Sequence, residues 1–138
     1  MKIIALQGVA NTGKTTTLKL LDQKLRQERF IPVAGMRRGT TGDFSDIFIA
    51  PDGRRIGITS SGDTHDMVRE NLERLIQENC VICVCACRTY DRMPPGTVAA
   101  VDSFPSHPAT FIDKTRESDS SLYDSANGTD VDTIYASL

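Results

Sequence analysis

The spacing of apolar positions changes several times along the chain, and each change predicts an element. Lys2 to Gln7 is a short apolar run closed by Gly8, the mark of a buried strand. From Lys14 to about Arg29 the period lengthens. Leu18, Leu21 and Leu25 recur on one helical face, while Lys19, Asp22, Lys24 and Arg26 lie largely elsewhere. Phe30 to Met36 predicts a second strand. Asp46 to Ala50 and Arg55 to Thr59 flank Pro51-Asp52-Gly53, which predicts a hairpin, because proline presets one turn position and glycine supplies another. A helix follows from about Thr64 to Glu78, with Val68, Leu72, Leu75 and Ile76 as its apolar stripe.

The strand at about Val81 to Ala86 comes next, then a charged loop from Arg88 to Gly96 with a Pro-Pro-Gly stop. Thr97 to Phe104 predicts a short helix and Ala109 to Ile112 a last strand. Residues 113–128, rich in serine and aspartate, read as loop. Val131 to Leu138 predicts a closing helix capped by Thr129 or Asp130. There are no repeats. Strands alternating with helices predict an α/β layer fold, mostly parallel in its central sheet, with an antiparallel hairpin strand.

Composition narrows this picture. The chain has 138 residues, 39% of them hydrophobic, which suits one domain, residues 1–138, with a sizeable core. The net charge of -2 and the absence of tryptophan give no footprint for nucleic acid. Ile3 to Leu6 is too short for a membrane span or a signal peptide. The expectation is a soluble, cytoplasmic protein. All 4 cysteines lie between Cys80 and Cys87. Their spacing is close to that of some zinc pairs, but strand alternation puts Cys83, Cys85 and Cys87 in a row on one face and Cys80 on the other. A buried strand of small apolar residues is the reading adopted, and massed free thiols fit a reducing compartment.

The chemistry concentrates at the first strand's end. Gly8-Val-Ala-Asn-Thr-Gly13-Lys14-Thr15 fits G-x-x-x-x-G-K-[ST] at every fixed position, after a strand and opening a helix. Gly8 and Gly13 let the backbone approach a phosphate, and the intervening N–H groups form an anion nest. The helix adds the positive end of its dipole. Lys14 supplies a point charge for the β- and γ-phosphates, and the Thr15 hydroxyl a magnesium ligand.

Through this segment, about its first thirty residues, the chain resembles the P-loop NTPases, in the group of small nucleotide kinases and GTPases. The resemblance implies a three-layer fold and a nucleoside triphosphate, with magnesium, held by Gly8, Ala10, Asn11, Thr12, Gly13, Lys14, Thr15 and Thr16. It also implies a second acid near the metal. The best match is Asp63 in Ile56-Gly-Ile-Thr-Ser-Ser-Gly-Asp63, later than in the family's usual four-apolar-then-aspartate pattern. Asp63 also has a role as helix cap open to it, and Ser60 and Ser61 are further phosphate or water donors. Arg88 and Arg92 follow the cysteine strand, where the family's kinases carry a lid with arginines; a solvated loop is the other reading.

Arg37, Arg38, Thr40, Thr41 and Asp43 form a loop that serves an acidic acceptor, a GTPase-like switch or only the surface. Asn127-Gly-Thr-Asp130 lacks the lysine of a guanine-reading motif and reads as a turn into a cap, which leaves ATP as the nucleotide. His65 and His107 read as surface residues. The expected function is a magnesium-dependent ATPase or nucleotide switch, with Lys14, Asp63 and Arg88 catalytic and Thr15 and Asp63 on the metal. A small-molecule or nucleotide kinase and a non-enzymatic regulatory module remain open, as does a homo-oligomer or protein partner that completes the site.

Overall fold

The computed structural model describes residues 2–9, 13–39, 42–61, 64–88, 96–115 and 120–138. Strand β1 (Lys2–Gln7) leads to helix α1 (Lys14–Gln27), then to strands β2 (Ile31–Pro32), β3 (Ser45–Ile49) and β4 (Arg55–Thr59). Helix α2 (His65–Gln77), strand β5 (Ile82–Cys87), helix α3 (Thr97–Asp102), strand β6 (Ala109–Asp113) and helix α4 (Tyr123–Ala136) complete the order. Among the described residues no helix is long and apolar enough to cross a membrane.

The six strands form one sheet in the order β2-β3-β4-β5-β1-β6. β1 lies parallel between β5 and β6, and β4 is parallel to β5. β3 runs antiparallel to β4, as the Pro51-Asp52-Gly53 turn requires, with Gly53 at φ 90° and its N–H on the Ala50 carbonyl at 2.8 Å. The fold is therefore α/β, with a mostly parallel sheet.

Side chains that alternate along the strands divide into two cores. Ile4 and Leu6 of β1 face Leu18, Leu21 and Leu25 of α1 and Val131 and Ile134 of α4. Ile3 and Ala5 face Val68, Leu72 and Leu75 of α2 and Ala100 and Val101 of α3. Helices therefore cover both faces. Each leucine of the α1 stripe is fully buried, a gain of about 1.5–3 kcal/mol apiece. Gly57 in β4 makes room for α2: a Cβ there would meet the Leu75 side chain at 2.7 Å.

Three expectations need correction. The second strand stops at Pro32 instead of reaching Met36, because Gly35 turns the chain at φ 77°. Proline fits there because β2 is an edge strand and its missing N–H costs the ladder nothing. The closing helix starts at Tyr123, well before Val131, so Asn127-Gly-Thr-Asp130 is helical and is no turn. Its poor helix formers are held by tertiary bonds, and neither Thr129 nor Asp130 is a cap. Thr129 instead donates to the Ser125 carbonyl at 3.0 Å.

Cys80 is the third. It precedes β5, after a left-handed Asn79 at φ 63°, so strand alternation does not reach it. Its thiol joins Cys83, Cys85 and Cys87 in one buried cluster. A hydrogen bond with Cys83 pulls Cys80 below the ordinary thiol value, while the same bond and burial push Cys83 up. Burial pushes Cys85 up as well. All four pack in the core as small apolar residues.

Candidate functional site

Sheet register brings the candidate chemistry to one end. Gln7 pairs with Cys87 on one side and Asp113 on the other, and Ser45 pairs with Thr59. Gly8, Ser60, Arg88 and Lys114, together with the segment entering β3, therefore all emerge at the carboxyl ends of the parallel strands. Ligands of open α/β sheets bind outside that end.

Gly13 opens α1 in the left-handed region, at φ 88° and ψ 21°. A side chain there would be strained, and its Cβ would lie 3.1 Å from Asn127 Oδ1. The Gly13 carbonyl accepts from Thr17 N at 2.8 Å and from Thr17 Oγ1 at 2.8 Å. No acidic residue occupies the first turn of α1, so the positive end of its dipole is not neutralised from within the helix. Lys14 Nζ donates to the carbonyls of Gly8 and Val9, both at 2.7 Å. The half-buried ammonium is thus held over the turn where β1 ends.

Thr15 Oγ1 donates to Asp43 Oδ1 at 3.2 Å, and Ser60 Oγ donates to the same oxygen at 3.3 Å. Ser60 is itself fixed. Its Oγ accepts from Phe44 N at 2.8 Å, and its own N–H donates to the Phe44 carbonyl at 2.9 Å. Among the described residues, the acid beside Thr15 is Asp43. Sequence reasoning placed Asp43 in the right loop but did not pair it with Thr15, because the two are 28 residues apart and only the antiparallel turn of β3 returns the chain.

Asp63, the expected acid, lies outside the described residues, as do Ala10, Asn11, Thr12, Thr40, Thr41 and Arg92. The capping role considered for Asp63 is filled by Thr64, whose Oγ1 accepts from Met67 N at 3.2 Å. Arg88 sits where expected, just past β5, with its backbone N–H on Thr97 Oγ1 at 2.8 Å. Thr16 is exposed on the first turn of α1. His65 is half-buried, with Nδ1 3.0 Å from Asp66 Oδ1.

The Arg37 loop divides. Arg37 is committed to a half-buried ion network: its guanidinium reaches Asp22 Oδ2 at 3.2 Å and Asp46 Oδ2 at 2.9 Å. Arg38 instead donates to the Gly35 and Arg37 carbonyls.

Helix α4 braces the site from behind, which the sequence did not reveal. Asn127 Oδ1 accepts from Thr17 Oγ1 at 3.2 Å. Asp130 holds Lys114 in a buried ion pair at 2.7 Å, and its two oxygens also accept from Thr115 N at 2.9 Å and Thr115 Oγ1 at 2.6 Å. The only sequence signal for this was two acceptors, Asn127 and Asp130, spaced to share a helical face.

The hydroxyl of Thr15 and the Asp43 carboxylate form a hard-oxygen set. Magnesium suits such a set, because it keeps its waters and takes one or two carboxylates plus substrate phosphates. Among the described residues no three His, Cys, Asp or Glu side chains converge as a cage. Comparison with known proteins returns no matching family model, no matching curated protein and no matching solved structure.

Proposed function

We propose that this chain binds a nucleoside triphosphate with magnesium on a P-loop of three-layer type and transfers the terminal phosphoryl group to water, as an ATPase or nucleotide switch. One observation carries the reading: a Gly8–Thr15 match in sequence that joins β1 to α1, with Lys14 held over the turn and Thr15 beside Asp43. In this reading Lys14 exchanges its carbonyl partners for phosphate oxygens. The first turn of α1, which carries no acid of its own, favours the anion. Thr15 and Asp43 hold the magnesium, which supplies charge neutralisation at the phosphates. Arg88, at the strand end, supplies further positive charge. Asp130 is already engaged by Lys114 and Thr115, and ATP remains the nucleotide by elimination.

The test is a melting curve with ATP, ADP, GTP and GDP, each with and without magnesium. Ligands of the native state raise the melting temperature. A magnesium-dependent rise with ATP, accompanied by phosphate release, is expected. Lys14→Ala removes a charge-assisted contact and should weaken ATP binding by about 100-fold. A folded Lys14→Ala protein with unchanged affinity refutes the assignment.

A further inference from the structure

The two edges of the sheet are built differently. β2 is 2 residues long and ends in Pro32, which has no N–H to offer a further strand. β6 pairs with β1 over 5 consecutive residues without a bulge, and Ala109–Asp113 holds no proline, lysine or glycine. Shortness, proline, lysine and bulges are the usual means of protecting a sheet edge from pairing. β2 is short and carries a proline, whereas β6 has none of these devices. Thr110, Phe111 and Ile112 are instead β-branched or aromatic, residue types suited to a paired strand.

The main chain of β6 has a bonded side and a free side. Ile3 N–H donates to the Pro108 carbonyl at 2.9 Å, and Lys114 N–H to the Gln7 carbonyl at 2.7 Å. With Ile3 in register with Ala109, this turns the backbone groups of Thr110 and Ile112 toward β1. The N–H and C=O groups of Ala109, Phe111 and Asp113 point the other way, along the outer edge of the sheet. Among the described residues these groups have no partner.

We propose that this edge pairs with β6 of a second copy of the chain, antiparallel, about a two-fold axis at Phe111. In an antiparallel ladder a hydrogen-bonded pair exchanges both of its N–H···O bonds. Centred on Phe111, the strands pair Phe111 with its symmetry mate and Ala109 with Asp113 on either side of it. Every outward N–H and C=O of both strands is then satisfied, and the sheet continues from one copy into the other. Charge selects this register. A shift that sets Asp113 against Asp113 would place like carboxylates directly opposite each other, which destabilises a pair. The second copy is also the partner that closes the assembly. β2 is too short to receive β6 head to tail, so the β6 edges are left to each other, and a two-fold pairing ends there. The pairing does not depend on the phosphate-loop reading.

The experiment is sedimentation equilibrium of the full chain without nucleotide, joined to amide hydrogen exchange at low and high protein concentration. A mass rising from 15.1 kDa toward twice that value is expected. Exchange should slow with concentration at Ala109, Phe111 and Asp113 and stay unchanged at Thr110 and Ile112, whose amides already face β1. A mass that stays at 15.1 kDa up to about 1 mM overturns the proposal. So does a dimer in which those three amides gain no protection. Ala109→Lys and Ala109→Glu test the register, since each sets its charge opposite Asp113. The readout is the ratio of their dimer constants, because any cost of enlarging half-buried Ala109 falls on both. The lysine variant should dimerise about tenfold more tightly than the glutamate variant. Equal constants, or the reverse order, overturn the proposal.

Discussion

Helix α1 touches polar side chains at both of its ends, and the two groups are finished differently. Near its C-terminal half, Asp22 Oδ1 takes Arg26 and Oδ2 takes Arg37. Asp46 Oδ1 takes the Ile47 N–H, and Oδ2 takes both guanidinium groups. Every carboxylate oxygen there has a donor. At the N-terminal end, both bonds to Asp43 fall on Oδ1, Lys14 leans on main-chain carbonyls, and Thr59 Oγ1 has no partner among the described residues. A closed network ties elements together, here α1, β3 and the loop after β2. An open one is what a ligand site needs, because its unspent capacity is available to the ligand. The contrast also removes Arg37 from the candidate ligand groups while it keeps Asp43.

The hardest blow to the closed end is Asp46→Ala. Asp46 is 1% exposed, and its loss leaves two guanidinium groups facing Asp22 alone. Removing one partner of a buried pair costs about 3–5 kcal/mol. Arg26 and Arg37 remain 44% and 39% exposed, so water recovers part of this. About 2–3 kcal/mol of lost stability is expected in denaturant unfolding, with nucleotide affinity per folded molecule unchanged. If affinity falls with stability, the two ends are not separate.

Gly13→Ala strikes the open end and ranks next. The left-handed backbone costs an alanine about 1–2 kcal/mol, and the new methyl presses on Asn127 at 3.1 Å. Here stability and ATP affinity should fall together, since on the proposed reading Gly13 shapes both the helix start and the phosphate loop. Calorimetric unfolding and ATP titration of the same sample check this. A loss of stability with intact binding would show that the turn alone needs the glycine.

Much of the fold was legible because it is local. The leucines of α1, the Pro51-Asp52-Gly53 turn and the cysteine strand each declare themselves within a few residues, and each lies where the periodicity placed it. The glycines and lysine of the site were legible for the same reason. Helix α4 was hidden because its middle carries residues that disfavour helix, and what stabilises them is distant in sequence: Thr17 for Asn127, and Lys114 with Thr115 for Asp130. The partnership of Thr15 with Asp43, and the unbonded Thr59, were hidden in the same way. Each depends on the antiparallel return of β3, which puts Ser45 opposite Thr59.

The smallest effect is a slope with pH, and it tests how tightly the closed end is closed. Burial holds the Asp22 carboxyl above the ordinary aspartate value of 3.8; Arg26 opposes this and neighbouring Asp46 reinforces it. A raised folded-state value means that the native chain binds the proton more tightly than the unfolded chain. This contribution to stability is complete below the unfolded value and is lost as pH rises through the folded one. Asp22→Asn keeps the shape and removes the titration. It also turns an amide N–H₂ toward one of the two arginines, a penalty that does not vary with pH. The stability of the parent relative to Asp22→Asn should therefore be greatest below about pH 4 and decline above it, on top of a constant offset. Urea unfolding of both proteins across that range gives the difference directly. A difference that grows as pH rises would mean that the arginines outweigh burial, and that Asp22 is held as a fully paired anion.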